Sequence, residues 1–219
     1  LAERRYAETQ ASAKIAGLAE YQVLNHHDCE IENTLAAREE VIRIIRNFQP
    51  DVVLSHRNCD YHADHRAIAQ LVMDAAYLVK VPLYCADTPI PAKNPVFAYL
   101  YDRFRDLRPI RADAAVEIDS VLETKLRMMD CHASQFYEWL PWDKGFRDFD
   151  ASGMSWEQKK TWLYEKWACR FEAAADLARH TLCEIYGNAG KTVKCAEIFE
   201  FSEYGEPVSE EEFRNLFLC

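Results

Sequence analysis

The sequence predicts an α/β protein in which helices cover both faces of a mainly parallel sheet, in three layers. The main observation is an alternation along the chain: short apolar runs of strand length are followed by longer segments whose apolar residues recur at helical spacing. The second is the composition. Of 219 residues, 49% are hydrophobic and 28% are charged, which is typical of one globular domain over residues 1–219.

Charge and cysteine content restrict the class of partner and the compartment. A formal net charge of −10 and a pI near 5.2 argue against nucleic acid or an anionic membrane as the partner. No apolar run approaches the roughly 20 residues of a membrane span, and no signal peptide is recognisable. The eight cysteines have no CxxC spacing, which favours reduced thiols and a cytoplasmic protein.

The chain opens inside a helical pattern. Ala2, Tyr6, Ala11, Ile15 and Leu18 form an apolar stripe that Gly17 would end. Because a domain of this class rarely begins with a helix, we expect that its first strand is missing from this sequence.

The next elements alternate as the fold class requires. We predict a short strand at Tyr21–Leu24, a helix at Thr34–Phe48, and a buried strand at Val52–Leu54. A helix then contains Ile68 to Val79, and Val81–Cys85 is predicted to be the following strand.

The second half of the chain continues the pattern. Strands are predicted at Val96–Tyr101, Ala114–Ile118 and Val193–Phe201, and an acidic, weakly helical tail ends the chain. Capping boxes at Ser120–Glu123 and Ser155–Gln158 predict two helix starts, the second opening a long helix to about Tyr186. Together these elements predict a Rossmann-like domain.

One polar cluster lies where a predicted strand is followed by a helix. His62-Ala63-Asp64-His65 follows Val52–Leu54 and precedes the helical segment, and ligands bind at the carboxyl ends of strands in open α/β sheets. Two imidazoles three residues apart on a helix face the same side. Imidazole is a common zinc ligand, and a neighbouring carboxylate can fix its tautomer. A solvated polar loop that caps the helix is the simpler alternative.

The surrounding residues resemble a known family. PDVVLSHRNCDYHADHRA, Arg5-Tyr-Ala-Glu8, the segment from Lys125 to His132-Ala-Ser-Gln135, and the EWLPW and AEIFEFSEYG stretches are similar to the LmbE-like (PIG-L) family of zinc-dependent N-deacetylases. The resemblance extends over nearly the whole chain.

The resemblance implies roles for particular residues. His65 would ligate Zn²⁺, while His62, supported by Asp64, would polarise the amide carbonyl or protonate the leaving amine. Arg5 and His132 would contact the substrate. Asp60 and Tyr61 flank the cluster, and Tyr61 could reach the oxyanion or simply pack.

One family signature, His-Pro-Asp-Asp-Glu after the first strand, is absent from the 219 residues. The family's two other zinc ligands and its general base would then lie upstream of Leu1, and the chain alone is expected to be inactive. His26-His27-Asp28 is the nearest substitute within the chain, and a polar loop is the alternative.

The leading hypothesis is zinc-dependent hydrolysis of an N-acetyl group from a small, sugar-linked substrate. A catalytically inactive binding or regulatory member of the same fold is the alternative from another class. Hydrolysis of a different bond, such as a phosphoester, is a third. The substrate is expected to be a small molecule, and a homo-oligomer is left open.

Overall fold

The computed structural model describes residues 1–106 and 108–218, which form two compact units. The first comprises Leu1–Asn25, Glu117–Asp176 and Val193–Ala196. The second comprises His26–Val116, Leu177–Thr192 and the segment from Glu197 onward. The single-domain organisation stays a prediction. No helix within the described ranges has the length and apolar character needed to cross a membrane.

The second unit is built on a four-stranded sheet. The strands are β1 (Val52–Ser55), β2 (Val96–Leu100), β3 (Ala114–Glu117) and β4 (Ala196–Ser202), in the order β1-β2-β4-β3. β1 pairs in parallel with β2, Val52 opposite Val96, whereas β4 runs antiparallel to β2. The sheet is therefore mixed, with β1 at one edge, where Leu54 is exposed rather than buried.

Helices cover both faces of this sheet. On one face, α2 (Leu35–Phe48) and α3 (Ala63–Leu78) pack their apolar residues around Phe97 of β2. On the other face, Val96 and Ala98 contact Phe213 of α9 (Glu210–Asn215). Neighbouring residues of β2 face opposite ways, as strand geometry requires. The predicted α/β class and layering are confirmed.

Local signals determine where several elements begin. The Thr34 side chain accepts the Ala37 amide and starts α2 where predicted. Ser155 and Gln158 form the predicted capping box of α6 (Trp156–Leu163). The predicted box at Ser120 is wrong: Ser120 lies in a 3₁₀ turn, Asp119–Val121, and donates to Glu117 instead.

The first unit is helical. Besides α6 it contains α1 (Ala2–Ala16), α4 (Leu122–Cys131), α5 (Leu140–Asp143) and most of α7 (Arg170–Leu177). The predicted long helix to Tyr186 is interrupted: a π-helical turn, Tyr164–Ala168, separates α6 from α7, and α8 (Arg179–Tyr186) is a separate helix. Leu126, Leu163 and Phe171 lie in one buried cluster of this unit.

The buried face of α1 differs from the predicted stripe. Tyr6 and Ile15 are exposed, whereas Glu8, Ser12 and Ala13 are buried. Hydrogen bonds explain why this polar face is buried: the Glu8 carboxylate accepts the Ser134 amide at 3.0 Å and the Ser134 hydroxyl at 2.6 Å. Gly17 ends α1 with φ 67°, as predicted.

Two predicted strands are absent. Residues 21–24 have no regular structure, and Val81–Cys85 forms turns. In the second case, the carbonyl groups that a strand partner would need already accept hydrogen bonds from Arg46 of α2, which is fully buried. Its guanidinium donates to six backbone carbonyls, those of Leu78, Val79, Val81, Tyr84, Cys85 and Thr88.

Candidate active site

The polar cluster lies at the carboxyl end of β1 and the amino terminus of α3, both in the second unit. β1 ends at Ser55, a loop follows, and His62 is the N-cap of α3 with extended backbone. His62, Asp64 and His65 are brought together as predicted, with the rings of His62 and His65 stacked at 4.7 Å between centroids.

As the N-cap of α3, His62 has a defined tautomer in its neutral form. Its Nδ1 accepts the Asp64 amide at 3.2 Å, so the neutral ring holds its proton on Nε2. That atom lies 3.7 Å from the Cys29 thiol and 3.9 Å from Asp28 Oδ1. His62 therefore presents its hydrogen-bond donor beside the 28–29 segment.

The Asp64 carboxylate has a different partner from the expected one. It is buried and accepts the amide of Cys29 at 2.7 Å and that of Ile31 at 3.2 Å. Its side chain holds the 28–31 segment against the start of α3. The contact with His62 comes from the backbone amide of Asp64, not from its carboxylate.

In the structure, Asp60 is the carboxylate that lies beside an imidazole of the cluster. The sequence analysis had assigned this supporting role to Asp64. Its Oδ2 lies 3.1 Å from Nδ1 of His65, and its Oδ1 accepts the His62 amide at 2.8 Å. Asp60 thus holds the backbone of one histidine and lies beside the ring of the other. Such a carboxylate behind an imidazole is the usual support of a metal ligand.

His56 is a member of the cluster that the sequence reasoning missed. Its ring stacks on His65 with centroids 4.4 Å apart and planes within 4°. Burial, and then the charge of His65, lower the pKa of His56. The only signal in the sequence was its position directly after β1.

The residues present are suited to a metal ion. His56, Asp60 and His65 each offer one ligand atom, and these atoms lie within 4.8 Å of one another. The buried Nδ1 of His65 has Asp60 Oδ2 as its polar neighbour at 3.1 Å, which leaves Nε2 of that ring for a metal ion. Imidazole and carboxylate are the donor types of catalytic zinc sites. Parallel stacked rings cannot both point their lone pairs at one ion, and of the two the family resemblance assigns the ligand role to His65.

The flanking residues Tyr61 and His26 have clear positions. Tyr61 is 77% exposed and meets His62 and His65 edge-on, with centroids 5.8 and 5.9 Å away. It forms the outer wall of the cluster. His26 pairs with Glu40 at 2.7 Å, whereas Asp28 of the substitute group lies 3.9 Å from His62.

Arg5 and His132 belong to the first unit and form a polar group there. Arg5 donates to the Gln135 side chain, next to the Glu8–Ser134 contact. His132 ends α4 and is half-buried. Burial lowers its pKa, the Glu8 carboxylate opposes that shift, and Arg5 adds to it. The two motifs that carried the resemblance at residues 5–8 and 132–135 are thus joined by direct hydrogen bonds.

The fold and the site define an α/β protein with a histidine–carboxylate group at the end of a parallel strand. Residues 1–76 match the family "PIG-L: GlcNAc-PI de-N-acetylase". Over 152 residues the chain is 30% identical to a diacetylchitobiose deacetylase of Thermococcus kodakarensis, covering 67% of this chain and 56% of that protein. The chain thus spans about half the length of this curated relative. The predicted resemblance to the PIG-L (LmbE-like) family is confirmed over residues 1–76.

Solved structures show the same fold at low sequence identity. N,N'-diacetylchitobiose deacetylase from Pyrococcus horikoshii superimposes with a TM-score of 0.62 at 19% identity, covering 92% of this chain and 64% of that one. The hydratase GalB from Pseudomonas putida gives 0.63 at 19% identity, with coverages of 94% and 75%. The conserved protein TT1542 from Thermus thermophilus gives 0.61 at 19%, covering 95% and 77%. A hydratase shares the fold, so function has to be argued from the site.

Proposed function

We propose that this chain is part of a zinc-dependent N-deacetylase that removes an acetyl group from an N-acetylated sugar. The supporting observation is the histidine–carboxylate group: the cap of α3 occupies Nδ1 of His62 and leaves its Nε2 as the donor, and Nδ1 of His65 has Asp60 Oδ2 beside it at 3.1 Å. The family match and the deacetylase relative support the sugar amide as substrate.

In this proposal His65 is the metal ligand of the chain and Asp60 supports its ring. When bound, zinc supplies a water of lowered pKa and a Lewis acid at the carbonyl. The family resemblance assigns the remaining ligands and the general base to residues upstream of Leu1. For the same reason, the chain alone is proposed to be inactive and to bind zinc weakly.

His62 acts on the substrate itself. Its Nε2–H donates a hydrogen bond to the amide carbonyl oxygen as negative charge develops there, and the proton that the attacking water loses is then delivered to the leaving nitrogen. Water adds to the carbonyl carbon, the C–N bond breaks, and acetate and a free amine result. Asp64 positions the start of α3 and the 28–31 segment beside this ring. Arg5 and His132 are proposed as substrate contacts. Cytoplasmic location and homo-oligomeric assembly stay predictions.

The test is acetate release from N,N'-diacetylchitobiose by the full-length protein that contains this chain. His62→Ala should keep its zinc and lower kcat by about 10²–10⁴-fold, as expected for loss of one acid–base or oxyanion group. His65→Ala should lose zinc, measured by elemental analysis. His180→Ala, which changes an exposed histidine of α8, is the control and should alter neither quantity.

Three results would contradict the proposal. Normal acetate release by His62→Ala would mean that another group polarises the carbonyl. A full-length protein that binds sugar without zinc and releases no acetate would favour the inactive binding member of the fold. Release of phosphate from a phosphoester in place of acetate would favour the third hypothesis.

A further inference from the structure

A second group of potential metal ligands adjoins the candidate active site. Asp28, Cys29 and His62 each offer one ligand atom, and these three atoms lie within 4.8 Å of one another. All three residues belong to the second unit. The group shares no residue with the metal ligand group that contains His65, so it defines a separate site.

The spacing of the three donor atoms suits a tetrahedral ion. Zinc bonds of about 2.0–2.3 Å place two tetrahedral ligand atoms roughly 3.3–3.8 Å apart. Nε2 of His62 lies 3.7 Å from the Cys29 sulfur and 3.9 Å from Asp28 Oδ1. These distances need only small side-chain rotations to admit an ion, and thiolate, imidazole and carboxylate are all zinc ligands.

The backbone of Cys29 is held in an uncommon conformation beside His62. Its φ is 69°, in the left-handed region that residues other than glycine rarely adopt. The buried Asp64 carboxylate stabilises this conformation, because it accepts the Cys29 amide at 2.7 Å. The Asp64 amide in turn donates to Nδ1 of His62. One residue therefore positions two of the three ligands relative to each other.

The local charge favours a cation. Residues 28–32 include Asp28, Glu30 and Glu32 and contain no basic residue. Partial desolvation, and then the nearby carboxylates, raise the pKa of the Cys29 thiol, so the metal-free thiol keeps its proton near neutral pH. A divalent ion offsets the negative charges as it displaces that proton. Because Asp28 and Cys29 are exposed, water competes for the ion and the site is weak.

We infer that Asp28, Cys29 and His62 form a second, inhibitory zinc site that fills when the metal is in excess. Cys29 binds as the thiolate, and its proton passes to water. His62 binds through Nε2, and the proton of that atom moves to Nδ1, which then no longer accepts the Asp64 amide. The ion therefore removes the hydrogen-bond donor of His62. The binding site does not depend on the proposed function, whereas its inhibitory effect rests on it.

Cobalt(II) is the probe for binding, because a cysteine thiolate bound to it gives a charge-transfer absorption band in the near ultraviolet. Titrated into the reduced chain, Co²⁺ should produce this band, and added Zn²⁺ should abolish it. Cys29→Ser should remove the band. Asp28→Asn and His62→Ala should each weaken cobalt binding by at least about tenfold, a loss no smaller than that of an outer-shell partner. Cys169→Ser, which changes another exposed cysteine, is the matched control and should leave the band unchanged.

NMR during a titration with Zn²⁺ reports on His62 directly. The neutral ring should carry its proton on Nε2 in the metal-free chain and on Nδ1 in the zinc-loaded chain, and the Asp64 amide resonance should shift. In the full-length protein, acetate release should fall as zinc is added beyond the amount that the catalytic site takes up. Cys29→Ser should relieve this inhibition.

Four results overturn the inference. These are no cobalt band in the unmodified chain, a band that survives Cys29→Ser, unchanged cobalt affinity in both Asp28→Asn and His62→Ala, or equal inhibition by excess zinc in Cys29→Ser. Failure of the proposed function gives a different result. The cobalt band and its dependence on Cys29 and His62 would then remain, but the full-length protein would release no acetate at any zinc concentration.

Discussion

Replacing Asp64 tests how the start of α3 is attached to the segment before α2. The carboxylate accepts two backbone amides, those of Cys29 and Ile31, and it lies in the first turn of α3, where a negative charge is favourable. Asp64→Asn keeps one acceptor oxygen and turns an NH₂ group toward the other amide. Asp64→Ala removes both acceptors.

The expected size follows from these contacts. A hydrogen bond to a charged group contributes about 1.5–3 kcal/mol, and the charge in the first turn of a helix about 0.3–1 kcal/mol. Cys29 is exposed, so its amide can be rehydrated and the lower part of the range applies. We expect a loss of about 2 kcal/mol in unfolding free energy for Asp64→Asn and about 3–4 kcal/mol for Asp64→Ala.

Urea unfolding measures the loss, and hydrogen exchange at the amides of Cys29 and Ile31 locates it. Asp74→Asn is the matched control on the same helix, because Asp74 forms a partly exposed ion pair with Arg38 and should cost no more than about 1 kcal/mol. Equal losses for Asp64→Asn and Asp74→Asn, with unchanged exchange at the two amides, would refute the anchoring role of Asp64.

Three further changes have defined expectations. Arg46→Met should cost about 3–5 kcal/mol because it leaves six carbonyls without their buried donor, whereas Arg43→Met on the same helix, in exposed ion pairs, should cost no more than about 1 kcal/mol in urea unfolding. The pKa of His132 is lower in the folded protein than its ordinary value of 6.5, because of burial. The unfolded chain therefore binds more protons, so stability should fall as pH drops below about 6.5. His132→Asn should reduce that slope, and an unchanged slope would contradict the assignment. Gly190→Ala would bring a Cβ within 2.2 Å of the Leu182 carbonyl oxygen and should lower Tm, whereas Gly153→Ala, with open space around it, should not.

The elements that sequence reasoning predicted correctly are those whose signals are local. Thr34 caps α2 through its own side chain, Ser155 and Gln158 cap each other, and β1 is an apolar run that ends in polar loop residues. Each depends on residues within four positions, so spacing alone suffices. The cluster at His62 and His65 was found in the same way.

The features that were missed depend on residues far apart in the chain. Val81–Cys85 has the composition of a strand, but Arg46, more than 30 residues earlier, donates to its carbonyls. The polar buried face of α1 depends on Ser134, 126 residues after Glu8. Arg108 and Glu200 are 92 residues apart. Sequence periodicity does not predict such pairings, because each of these polar or charged residues, taken alone, is expected on the surface.

The Arg46 guanidinium also has a consequence for how the second unit opens. One side chain of α2 donates to carbonyl groups at the end of α3 and in the 81–88 turn, so neither of these segments can separate from α2 without leaving its carbonyl groups without this donor. We therefore expect α2, α3 and this turn to exchange their amide hydrogens as one cooperative unit. The opposite end of α3 is anchored through Asp64 by two accepted amides instead of six bonded carbonyls, so we expect local opening to begin there, at the loop that contains His56 and Asp60. Motion in the second unit would in that case be concentrated at the histidine–carboxylate group, while the carboxyl end of α3 stays fixed.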